Sequence, residues 1–164
     1  MSFEQRVTEL GLILPAPPKP VATYVPYAHV GNLLFLSGVV PTRDGRIVYR
    51  GKLGLDVSKE EGYEATKLTL LNALANIRLA VGTLDRVKQI VKMTGYVASH
   101  DGFVEQPSVI NGASDLLVEI FGDAGRHARV AVGVAELPLG VPVELELIVE
   151  VLPARALSNA MPRL

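Results

Sequence analysis

The chain contains no cysteine in its 164 residues, which excludes disulfides, thiol nucleophiles, thiolate-bound metals and iron–sulfur clusters together. Histidine is scarce too: His29, His100 and His127 stand too far apart to give metal-ligand spacing on one element. Neither a metal nor another cofactor is expected. An excess of one charge is also missing, since 16 basic and 17 acidic residues are mixed along the chain for a net charge of −1. Without a basic stripe there is no field to draw in a phosphate backbone, and nucleic acid is not an expected partner. No uninterrupted apolar run reaches the roughly 18 residues of a membrane span, and the opening from Met1 to Arg6 is polar. A cytoplasmic location with no membrane partner is the expectation.

What is present is a high apolar content, 49% hydrophobic against 20% charged. A chain of this length is expected to form one domain that buries roughly 70% of its unfolded surface. Such a composition implies a large core, a surface covered by another subunit, or both.

Punctuation divides the chain. Residues Phe3 to Leu10 can form a short helix, but four prolines at Pro15, Pro17, Pro18 and Pro20 fix φ and remove amide donors. Residues 1–20 therefore read as an N-terminal arm, 21–153 as the domain and 154–164 as a loose C-terminal tail. Two β-rich runs flank Gly31-Asn32, a hairpin signal, and Pro26 places the first at an edge or a bend. The Asp44-Gly45 turn precedes a third expected strand over Arg46 to Arg50.

Ser58 followed by Glu61 is a capping box opening a helix. Its apolar stripe is Tyr63, Leu70, Leu74, Ile77 and Val81, widened by Leu71, and Gly82 closes it. Val87 to Val97 alternates as a strand. A second helix runs from about Pro107 to Phe121 with Ile110, Ala113, Leu117 and Ile120 on its apolar face. Asn111-Gly112 inside it is locally costly, about 1 kcal/mol for the glycine relative to alanine. Close packing, a functional amide and simple tolerance each account for it.

Arg126 to Pro138 and Val141 to Val151 follow as two strands around a Pro/Gly turn. Alternation sets Arg129, Ala131 and Gly133 on one face of the first, and Glu144, Glu146, Ile148 and Glu150 on one face of the second. An arginine with small neighbours has room for a carboxylate ligand; the same pattern suits an edge hairpin with snorkelling charges. The order β-β-β-α-β-α-β-β predicts an α+β domain with two helices on one face of a mixed sheet. Nothing covers the other, partly apolar face, so homo-oligomerisation through the sheets is expected.

Four blocks in order carry a family likeness: Val25-Pro26-Tyr27; Val30 to Gly38; Leu71 to Ile77 with Val87-Lys88; and Ala128-Arg129 through Glu136-Leu137-Pro138 to Glu146. Over roughly Val21 to Pro153 the chain resembles the reactive-intermediate deaminase family (Rid, YjgF-type), also called L-PSP endoribonucleases. The longer arm and the loop from Arg43 to Asp56 mark a divergent subgroup. The resemblance implies a chorismate-mutase-like fold, a homotrimer with sites in clefts between subunits, and a small carboxylate as substrate. It implies hydrolytic deamination of enamines and imines such as 2-aminoacrylate to keto acids and ammonia. The alternatives are non-catalytic binding of a keto acid or other metabolite and, against the balanced charge, RNA cleavage or translation inhibition.

Residue by residue, Arg129 matches the family's carboxylate-binding arginine, and Glu146 the acid that holds or polarises the attacking water. Tyr27 matches the tyrosine that closes the cleft, Ser37 and Gly38 the Ser-Gly that meets the ligand, and Asn111 the helix asparagine beside it. Phe35 and Ile148 read as core or interface. Four positions depart from the pattern: Val130 stands where Ser or Thr is common, Ala131 where Cys is, Val39 where a polar residue is, and Ser114 where an aromatic is.

Overall fold

Ser58 accepts a hydrogen bond from the Glu61 amide while the Glu61 carboxylate accepts from the Ser58 amide, and this box opens the longest helix. The computed structural model describes residues 2–17 and 23–153; the expected tail at 154–164 lies outside the described residues. The elements in chain order are helix α1 (Phe3–Glu9), strands β1 (Tyr27–Val30), β2 (Leu33–Leu36), β3 (Thr42–Arg43) and β4 (Arg46–Ile47), and helix α2 (Lys59–Val81). Strand β5 (Val87–Ala98), helix α3 (Gln106–Phe121) and strands β6 (Ala128–Val134) and β7 (Val143–Val151) complete them. Gly82 ends α2 at φ 85°, a left-handed conformation that glycine adopts without a Cβ penalty.

Five strands form one mixed sheet in the order β1-β2-β7-β5-β6. Only β5 and β6 run parallel within it, joined by α3 as a parallel pair requires. The central strand β7 buries Val143, Leu145, Leu147, Val149 and Val151 under the helices, each burial contributing about 1.5–3 kcal/mol. Its alternate residues face away from them. Leu70, Leu74, Ile77 and Val81 of α2 and Ile110, Ala113, Leu117 and Ile120 of α3 fill the same core, as their spacing predicts. The α+β, chorismate-mutase-like fold is thus the one expected.

Two details differ from the sequence reading. The third strand does not join the sheet: Thr42–Arg43 and Arg46–Ile47 pair only with each other, around the positive φ angles of Asp44 and Gly45. The short helix expected near the N-terminus forms over Phe3–Glu9, but it is docked on the domain instead of standing off as part of an arm. Its Val7 is buried, Phe3 meets Phe121 edge to face at 4.8 Å, and Arg6 donates to the Glu119 carbonyl at 3.0 Å. Glu4 accepts from Arg78 Nε at 3.1 Å and from the Leu84 amide at 2.9 Å.

The costly Gly112 has a packing reason. A Cβ built there would lie 2.2 Å from the Tyr63 carbonyl oxygen of α2, so the glycine lets the two helices touch backbone to backbone. Gly112→Ala gains about 1 kcal/mol of helix propensity but must force the helices apart, and a net loss of about 1–3 kcal/mol is expected. Urea denaturation reads this directly; a variant as stable as wild type would remove the packing explanation.

Candidate functional site

Arg129 lies on β6, an edge strand of the sheet. Register pairs it with Met93, which pairs with Leu147, so its side chain leaves on the helix side. There Nη1 donates to Asn111 Oδ1 at 2.7 Å and to Ser114 Oγ at 3.0 Å, both on α3. Ser114 Oγ also meets His127 Nε2 at 3.1 Å, and His127 Nδ1 lies 2.7 Å from the Gly125 carbonyl. A carbonyl only accepts, so Nδ1 carries the proton and Nε2 accepts from the serine hydroxyl. The serine lone pairs are then free to receive the guanidinium. Burial pushes the His127 pKa down, against the Gly125 bond that raises it, and the charge of Arg129 lowers it further.

Among the described residues Arg129 has no acidic partner. Neutral acceptors fix one nitrogen and leave the Nε and Nη2 edge, two parallel N–H groups, for a ligand. Ser114 also supplies the hydroxyl that Val130 lacks, from a different element.

Glu146 is not beside this arginine. It pairs with Thr94, which pairs with Val130, and so faces the opposite side of the sheet. There it accepts from the Tyr96 hydroxyl at 3.2 Å. The acid that lies against the Ser37-Gly38 turn is Glu144, two residues earlier on the same face of β7. A Cβ on Gly38 would stand 1.9 Å from Glu144 Oε1, so the glycine makes room for the carboxylate. Half-burial raises the Glu144 pKa, and the nearby Glu146 charge adds to the rise.

Ser37, Gly38 and Glu144 line a cavity of about 640 Å³. Ser37 Oγ is occupied, donating to the Val25 carbonyl at 2.6 Å. Tyr27 pairs with the buried Leu36 and packs against the core; it is Tyr24 that lines the cavity. Four of the expected residues therefore form two groups, Arg129 with Asn111 and Ser37 with Gly38, the second lying against Glu144. Strands β7 and β5 separate β2 from β6, which at the usual spacing sets the groups roughly 14 Å apart. Among the described residues no group of three His, Asp or Glu side chains could hold a metal ion.

Glu144, Ser114 and His127 were not among the expected site residues. Alternation gives Glu144 and Glu146 the same face, and only the approach of Gly38, distant in sequence, distinguishes them.

Comparison with known proteins agrees with the fold. The model of the YjgF/chorismate-mutase-like family matches residues 4–151. The chain is 44% identical over 142 residues to protein TCP17 of Trypanosoma cruzi, covering 86% of this chain and 89% of that one. It is 32% identical over 133 residues to a RutC family protein of Pyrococcus abyssi, covering 80% and 88%. Among solved structures, Atu1372 of Agrobacterium tumefaciens, a protein of unknown function, superposes with a TM-score of 0.85 at 43% identity, covering 91% and 92%. E. coli TdcF with bound serine gives a TM-score of 0.61 at 26% identity, covering 84% and 94%.

The lowered His127 pKa has a signed consequence. As pH falls through about 6.5, the ordinary histidine value, the unfolded chain takes up a proton that the folded chain resists, so stability falls. Urea midpoints measured between about pH 7 and pH 5 should decline, and His127→Gln should make the decline shallower. An identical pH slope in the variant would contradict the assigned neutral tautomer.

Proposed function

The chain belongs to the YjgF/chorismate-mutase-like family, and on that premise we propose that it hydrolyses small carboxylate-bearing enamines and imines, of the 2-aminoacrylate type, to keto acids and ammonia. The observation that carries this reading is Arg129, a cation held by the neutral Asn111 and Ser114 with no acid partner among the described residues. A planar guanidinium offering Nε–H and Nη2–H side by side suits a bidentate carboxylate. The serine bound to TdcF is a small molecule bearing such a group.

Water adds to the imine carbon, and the resulting carbinolamine expels ammonia to leave the ketone. This sequence needs a group that first takes a proton from water and then returns it to the departing nitrogen. Glu144 has the environment for both: its raised pKa brings it nearer to neutrality than an exposed carboxylate. Glu146, exposed and bonded to Tyr96, contributes charge that helps to raise the Glu144 pKa.

Within one chain the clamp and the acid are too far apart to hold the same three-carbon molecule, and a second copy supplies the missing half. The sheet face opposite the helices supports this. Val30, Phe35, Val130 and Val132 are exposed there, and register places Leu33 and Ile148 among them. Such an apolar face is covered when copies meet sheet to sheet. In the proposed homotrimer each cleft takes Arg129 from one subunit and Glu144 from the next.

Coupled to a dehydratase that generates 2-aminoacrylate, the protein should release pyruvate faster than the spontaneous reaction. Arg129→Ala should bring the rate to background, Glu144→Gln should lower it by about 10²–10⁴-fold, and Glu146→Gln should have the smaller effect. Release that is equal with and without protein, over several amino-acid-derived imines, would sink the proposal.

A further inference from the structure

The cavity beside Glu144 is much larger than the reaction requires. At about 640 Å³ it falls in the range of roughly 300–1,000 Å³ that buries a drug-sized molecule, and a three-carbon imine would leave most of it to water. Apolar side chains from three places line it: Pro15 and Pro17 of the N-terminal arm, Ile47 of the β3–β4 ribbon, and Leu139 of the turn before β7. The arm is tied down on its way there, because Leu12 and Leu14 pack against the core. The arm and the loop from Arg43 to Asp56, the two segments in which the sequence departs from the compact family pattern, thus meet at this cavity.

Leu139 is held there against its own backbone preference. Its φ is 62°, in the left-handed region that crowds a Cβ and that glycine adopts freely. The Arg43 to Asp56 loop pins it: Arg50 Nη1 donates to the Leu139 carbonyl at 2.6 Å, and the Gly51 amide donates to the Gly140 carbonyl at 2.9 Å. The side chain placed in this way is 61% exposed, and Tyr24, which lines the same cavity, is 49% exposed. A strained backbone that leaves a leucine in water costs stability, and an apolar ligand group that covers the side chain offsets the cost. The charged side chains that line the cavity, Asp44 and Glu144, are both acidic, and no described lysine, arginine or histidine lines it. An acidic side chain is therefore disfavoured. Asp44 is exposed on its turn, where solvent and salt screen its pull on a cation.

We infer that the substrate is a 2-imino acid with a bulky apolar side chain, such as a leucine-derived imine, rather than the three-carbon acid, and that Leu139, Ile47 and the arm prolines set this preference. With the reacting carbon at Glu144 and the carboxylate on Arg129 from the adjoining copy, the side chain is the part left to enter the cavity. Which end of the molecule enters rests on the deaminase reading; the preference for an apolar side chain is read by binding alone.

The keto acids that the reaction would produce are stable probes for ligand-observed NMR titration of the full chain. Pyruvate and 4-methyl-2-oxopentanoate carry the same carboxylate and the same 2-oxo group, so an Arg129 clamp holds both alike and only the side chain differs. The longer probe should bind at least about tenfold more tightly, a margin that three further buried carbons supply. Leu139→Gly suits the left-handed backbone and so keeps the fold; combined with Ile47→Ser on the ribbon, it should bring the two probes close to equal. Arg129→Ala should weaken both probes and preserve the preference between them. Equal binding of the two probes by the wild type, no binding of the longer one at millimolar concentration, or a preference untouched in the double variant would each overturn the inference. Tighter binding of 5-guanidino-2-oxopentanoate than of 4-methyl-2-oxopentanoate would overturn it as well, by assigning the cavity to a cation. The expected preference in a protein that deaminates no imine would refute the proposed reaction and leave this recognition standing. Faster turnover of the alanine-derived than of the leucine-derived imine would do the reverse.

Discussion

Strand β7 sits at the centre of the sheet and separates two environments by alternation alone. Its odd-numbered residues, Val143 to Val151, are buried against α2 and α3, while Glu144, Glu146, Ile148 and Glu150 occupy the other face. A slip of one residue would drive three carboxylates into the core, so the register is strongly fixed. That register in turn holds Glu144 against Gly38, and through β5 it sets Arg129 on the helix side of β6. The positions of acid and arginine thus follow from how the core is packed.

Neither half of the site depends on a strong interaction. Arg129 is aimed by a directional chain of neutral hydrogen bonds from Gly125 through His127 and Ser114, and by Asn111. An acidic partner would have tied the guanidinium more tightly and left less of its charge for a ligand. Glu144 is likewise held where solvent is partly excluded, and the absence of a Gly38 side chain gives it space. Both arrangements leave a polar group short of a partner, which an inert surface does not need and a binding site does.

The sequence made several elements legible because their signals are local. The Ser58–Glu61 box, the Gly82 stop and the alternation of β7 each announced themselves within a few residues. The third strand was not legible: the residues after Asp44-Gly45 carry β-forming side chains, but they pair back onto Thr42–Arg43 across the turn, and only a two-residue ribbon forms. The choice between Glu144 and Glu146 was equally hidden, since a period of two gives both the same face and the decisive neighbour is distant. Ser114 read as a departure from the family pattern, and only the approach of α3 to β6 shows its hydroxyl on Arg129. Gly112 was visible as an expense, while its cause, the Tyr63 carbonyl, lies on another helix.

We propose a site divided between copies of the chain, with Arg129 from one and Glu144 from another. Co-assembly of Arg129→Ala subunits with Glu144→Gln subunits tests it most directly, because each variant alone retains only one half of every cleft. Random equal mixing into trimers should restore deamination to about a quarter of the wild-type rate, since each mixed trimer holds one cleft with both residues intact. No recovery above the separate variants, in oligomers shown to contain both, would contradict the division of the site.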